Sequence, residues 1–221
     1  MMRKQLLLLV GIGIMLAGCS TTRTAYMPTV NQAGYVVRER NPDPEPSWAR
    51  DFGKFKRDHD GKGTTYFMGE SGPVDDRIAG CDIADLAAKK DIAQEIAELI
   101  SDKIATDKQG RLAIDPTNSN DPGMKRAFEE RLAGKSIAFL SGVRNYDTYW
   151  ERRDYSKSGG NKRVYECSVV VTISNKDMEE AIRRSSRHAE SVIEDPDAKA
   201  AVTAALKDVD QEFSSYEPKE N

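Results

Sequence analysis

Chemistry-bearing side chains are scarce in this chain, which has only two histidines and three cysteines among 221 residues. His59 and His188 are far apart, and neither falls in a zinc-ligand spacing. Both are expected to be solvated surface residues. Asp58-His59-Asp60-Gly61 has the opening of a calcium loop but lacks the later oxygen ligands and the closing Glu. There is no Gly-x-Ser-x-Gly elbow, and Gly61-x-Gly63 has no dinucleotide or P-loop context. The acid pairs Glu129-Glu130 and Glu179-Glu180 read as helix-surface charges. The expectation is a protein with no catalytic residue, no metal site and no cofactor, hence not an enzyme. An excess of positive charge is also lacking. Lys and Arg number 33 against 36 acids, a formal charge of −3, and phosphate binding needs clustered cations, so nucleic acid is not an expected partner. Aromatic residues are 7% of the chain, which keeps the core modest.

The one apolar run, residues 6–15, is too short to span a bilayer, which needs about 20 residues. Preceded by Arg3 and Lys4, it fits the core of a secretory signal peptide. Leu16-Ala17-Gly18-Cys19 follows: a large apolar residue, two small ones and a thiol. Small residues admit a peptidase, and the thiol can take a lipid as a thioether. This segment resembles the lipobox of bacterial lipoproteins. The resemblance implies removal of residues 1–18 and acylation of the Cys19 sulfur and amine, by palmitate-type chains. Each buried methylene contributes about 0.8 kcal/mol, and stable anchoring takes more than one chain. Ser20 is not the Asp that retains lipoproteins at the inner membrane, so the expected location is the outer membrane. The mature side chains carry 31 basic against 36 acidic groups, or −5.

Residues 19–46 read as a lipidated, flexible tether. Serine and threonine open it, and Pro42-Asp43-Pro44-Glu45-Pro46 closes it in extended geometry. Within it Tyr35-Val36-Val37 is a weak edge-strand signal. Residues 47–63 are polar and irregular, with Trp48, Phe52 and Phe55 as packing points. Residues 64–69 read as a strand. The strongest helix runs from 75 to about 107, its stripe of Ile92, Ile96 and Leu99 wide enough to lie on a sheet. Residues 107–123 are a long loop, and 124–139 a helix. Residues 143–154 are a strand, 156–161 a hairpin loop, and 164–173 the clearest strand, whose Tyr165, Cys167, Val169, Val171 and Ile173 should meet the long helix. Residues 177–193 and 198–216 read as helices. The last carries Val202, Leu206, Val209, Phe213 and Tyr216 at alternating four and three spacing. The expected division is a signal peptide at 1–18, a tether at 19–46, an α+β domain at 47–175 and a C-terminal helical extension at 176–221.

Pro46-Ser47-Trp48, Tyr66-Phe67-Met68-Gly69, the helix with Ala84, Ala87, Ala88 and Ala93, and the later Tyr149-Trp150 and 164–173 strands occur in one order. In this the chain resembles the LPP-twenty lipoprotein family, which includes the flagellar outer-membrane lipoprotein P. The resemblance covers about residues 47–173. It implies an α+β unit with helices on one face of a small, mainly antiparallel sheet, and outer-membrane lipoproteins without known catalysis. Some members assemble into rings near the flagellar motor. Gly69-Glu70-Ser71-Gly72 replaces the family's tighter glycine pair, and the helices after Ile173 are longer.

Cys81 and Cys167 remain, in a compartment that permits disulfides. A bond between them and two buried free thiols are both open. Arg144, Tyr149, Trp150 and Arg152 form a candidate partner contact, because Arg and aromatic residues are enriched at binding hot spots; the alternative is a twisted strand with its aromatic face buried and its Arg face wet. The expected function is that of a non-enzymatic lipoprotein in envelope structure or assembly, working through a protein partner or a homo-oligomer. The alternative is a periplasmic binding module for peptidoglycan or a small ligand.

Overall fold

In the computed structural model, the structure describes residues 35–61, 63–106, 122–155, 163–194, 196–207 and 209. Cys19, the loop at 156–161, Phe213 and Tyr216 lie outside the described residues, as does the loop expected after the long helix except for its last two residues, which open the next helix.

Four strands form one antiparallel sheet: β1 (Val36–Asn41), β2 (Thr64–Glu70), β3 (Arg144–Asp154) and β4 (Arg163–Ser174). Their order is β1-β3-β4-β2, so the two longest strands are central. In β4 the alternation splits the strand cleanly. Cys167, Val169, Val171 and Ile173 point into the main core, while Val170 points to the opposite face.

The main core is built on α3 (Arg77–Thr106). Asp76 starts this helix, its Oδ1 accepting from the Ala79 amide at 2.8 Å. The buried residues Ala84, Ala88, Ile92, Ile96, Ile100 and Ile104 recur every four positions. Each such step turns about 40° beyond a full helical turn, so the buried row winds round the helix. Its two alanines at the start lie close on the sheet. Its second half, all isoleucine, lies among α4 (Pro122–Ser136), α5 (Asn175–Ser191) and α6 (Pro196–Leu206). The close approach at the first half needs glycine in β2. A Cβ on Gly69 would stand 2.0 Å from the Ala84 carbonyl oxygen and 2.3 Å from the Ala88 nitrogen.

Three expectations change. Residues 47–63 are not irregular: they hold α1 (Ser47–Arg50) and α2 (Phe52–His59), the latter capped by Asp51 Oδ1 accepting from Lys54 N at 2.9 Å. These helices carry Trp48 and Phe55 onto the second sheet face, against Tyr149 and Val170, so helices cover both faces. The tether does not reach residue 46, because Val36 and Val37 are buried and β1 pairs with β3. The C-terminal helices are no extension. Met178, Ala181, Ile182 and Ala189 of α5, with Val202, Leu206 and Val209, share the main core with α3. Ser174 caps α5, its Oγ accepting from the Asp177 amide at 3.1 Å. The architecture is α+β.

Candidate functional site

The four residues expected to form a partner contact do not form one surface. Tyr149 and Trp150 are neighbours in a strand, so they point to opposite faces, and both are buried. Trp150 enters the main core, with the Arg77 guanidinium 4.9 Å from its ring centre and Tyr165 at its edge. Tyr149 packs edge-on against Trp48, whose Nε1 donates to Asp147 Oδ2 at 2.8 Å. Arg152 is paired with Glu39 at 3.0 Å across to β1. Arg144 is exposed. Buried aromatic rings cannot meet a partner without unfolding the sheet, so this site is withdrawn.

What Tyr149 does join is a charged network on the second sheet face. Its hydroxyl donates to Glu151 Oε1 at 2.5 Å, and Arg153 Nε donates to Glu151 Oε2 at 2.9 Å. Arg153 also pairs with Glu166 and lies over the Tyr35 ring at 4.3 Å. Burial first, then the Glu151 hydrogen bond and charge, push the Tyr149 hydroxyl far above the usual phenol range. Burial opposes the charge on Arg153, but Glu151 and Glu166 outweigh it and raise its pKa. The network links β3 to β4 through Arg153 and Glu166 and reaches Tyr35, just before β1.

A second polar region lies at the β2 edge, where Lys56, Asp91, Gln94, Glu95 and Glu98 border a groove of about 350 Å³. Burial raises the Glu95 pKa; Lys56 opposes that, while Asp60, Glu98 and Asp91 add to it. Asp60 and Asp91 are raised too, burial again being the main cause. Among the described residues no group of three His, Cys, Asp or Glu side chains is placed to hold a metal ion. Neither histidine is a fully solvated surface residue. His59 stacks on Phe55 at 4.1 Å, and half-buried His188 meets Phe139 at 6.1 Å. Cys81 and Cys167 are disulfide-bonded, joining the start of α3 to β4.

Two features unforeseen from the sequence can act on another molecule. One is the outward face of the first half of α3. Ile78, Ile83 and Leu86 are 65%, 47% and 45% exposed. Ile78, Asp82, Leu86 and Lys90 follow one another at spacing four, and Ile83 lies beside them. The signal was present: from 77 to 90 the helix carries a small-residue stripe for the sheet and a second, large-residue stripe that the sheet does not need. The other is an apolar cavity of about 550 Å³ between the second half of α3 and the three later helices. Its walls come from four separated segments, so no local pattern announces it.

No known protein family, curated protein or solved structure compared with this chain matches it.

Proposed function

We propose that this chain is a non-enzymatic lipoprotein, held at the outer membrane by acyl chains on Cys19, that serves envelope structure or assembly through protein contacts. The first partner is a second copy of itself, meeting along the exposed face of α3. The resemblance to the LPP-twenty family belongs to this proposal, as does the signal peptide.

The observation that carries it is the exposed aliphatic row Ile78, Ile83 and Leu86 on the longest helix. Single exposed apolar residues are ordinary, but here Ile83 and Leu86 are i, i+3 neighbours and Ile78 lies two turns from Leu86 along the same side, a grouping that points to a contact. An antiparallel two-fold pairing centred on Leu86 sets Asp82 of one copy opposite Lys90 of the other. The face is then self-complementary in charge as well as in apolarity, as an isologous interface requires. Covering half of each aliphatic side chain contributes about 1 kcal/mol. Six of them give roughly 6 kcal/mol, near the low end of the 4–15 kcal/mol cost of association. The face alone therefore holds two free copies weakly. A lipid anchor confines the copies to one surface and raises their effective concentration, which favours pairing there.

Palmitate labelling and membrane sedimentation test the anchor: Cys19→Ser must abolish the label and release the protein. Crosslinking in native envelopes tests the contact. Discrete homo-oligomers support it, whereas a monomer retained on purified cell wall contradicts it and favours the binding-module reading. The apolar cavity supports that second reading, with a small ligand rather than peptidoglycan.

A further inference from the structure

We infer that the cavity between α3, α4, α5 and α6 binds a single-chain anionic amphiphile, an acyl chain with a carboxylate or phosphate head. Its volume, about 550 Å³, falls within the roughly 300–1,000 Å³ of small-molecule sites. Ile104, Phe128, Leu132, Ile193 and Val202 supply an apolar lining, a surface that water wets poorly. Three basic side chains stand among them: Arg131 and Lys135 from α4, and His188 from α5. No carboxylate lines the cavity among the described residues.

Arg131 and Lys135 are four apart, so they sit one turn above the other on the same helix face. Two like charges at that spacing repel, and an anion held between them turns the repulsion into attraction. A guanidinium presents paired donors that match a carboxylate or a phosphate, and the ammonium adds a point charge. The two parts of the site then select one class of ligand. A small anion without a tail would leave the apolar walls uncovered. An uncharged lipid would fill the walls and leave the cations unanswered. Leu86 and Ile104 are 18 residues apart on α3, roughly 27 Å along the axis, so this site is separate from the self-association face.

The test uses the full chain with Cys19→Ser, oxidised, so that no covalent acyl chain competes. It is titrated with a fluorescent polyene fatty carboxylate below its micelle concentration. Palmitate, lysophosphatidylglycerol and palmityl alcohol then serve as competitors. The expected result is saturable one-to-one binding, with palmityl alcohol at least about tenfold weaker than the charged competitors, as loss of a charge-assisted contact implies. Displacement by palmitate alone identifies a free fatty acid, and displacement by lysophosphatidylglycerol alone identifies a phosphate-headed lipid. The double variant Arg131→Gln with Lys135→Gln should weaken binding about tenfold or more at unchanged melting temperature, since both residues are exposed. Its self-association should be unaltered. The inference is overturned if the full chain shows no saturable binding, whether the cavity is empty or filled by the chain's own residues. It is equally overturned if neither charged competitor displaces the probe, or if the alcohol competes as well as palmitate and the double variant binds undiminished.

Discussion

Trp150 is 9% exposed and Arg144 is open to solvent, although the sequence presents them as parts of one cluster. Trp150→Ala should cost about 3–5 kcal/mol of stability, as deletion of a core indole does. Arg144→Ala should stay within about 0.5 kcal/mol. Urea denaturation of the two variants distinguishes a core residue from a surface one. The sequence could not separate them because Arg and aromatic residues alternate identically in a contact strand and in a central strand covered on both sides. The pair Tyr149-Trp150 is buried twice over, once on each face, and the cover on the second face comes from α1 and α2, a hundred residues upstream. At the β2 edge, Glu95, Asp60 and Asp91 have pKa values raised in the folded chain, burial being the first cause for each. The folded state then binds more protons than the unfolded chain just above the ordinary carboxylate range. This group therefore costs stability that grows as pH rises through that range, and the cost is absent below it. Lys56 softens the effect for all three. Glu95→Gln should be more stable than the parent at neutral pH, with the difference shrinking as pH falls towards the ordinary carboxylate range and gone below about 4. A constant difference across that range in thermal melts would contradict the assignment.

The long helix was legible because thirty residues of alanine, isoleucine and charge leave little choice of conformation. The spacing predicts residues 75 to about 107, and the helix runs Arg77–Thr106. What the spacing does not convey is the winding of the buried row, which shifts α3 from a sheet-packing helix to a helix-packing one along its length. Gly69→Ala probes the tight half. With a helix backbone 2.0 Å from the new Cβ, no rotamer change can relieve the clash, and a loss of about 3 kcal/mol is expected by chemical denaturation. The short α1 and α2 were missed because Ser47–Arg50 and Phe52–His59 are too brief for a periodic signal. Their caps and aromatic anchors decide their structure, and both depend on contacts with β2, β3 and β4. On the open half of α3, Leu86→Glu should leave the melting temperature within a few degrees while reducing membrane-bound oligomers severalfold, because Leu86 is 45% exposed.

At the scale of the whole molecule, the sheet and its main core together draw on what the sequence divides in three. β1, drawn from the expected tether, closes the sheet edge beside β3, and the last helices complete the core around Ile100 and Ile104. Segment boundaries followed proline content and helix starts, whereas the core follows burial, which a linear reading does not contain. The Cys81–Cys167 bond closes a loop of sequence separation 86, and replacing both cysteines by alanine should lower stability by about 2–5 kcal/mol in denaturant titration. Above this scale stands the anchored copy beside its neighbour. The most direct measurement is oxidative crosslinking of Leu86→Cys in intact envelopes, with the exposed Arg126→Cys as the control. A dimer that forms from the Leu86 variant in membranes, and fades when the protein is released by Cys19→Ser, is the predicted result. A membrane-bound Leu86 variant that stays monomeric, or that crosslinks no better than the control, would contradict the account.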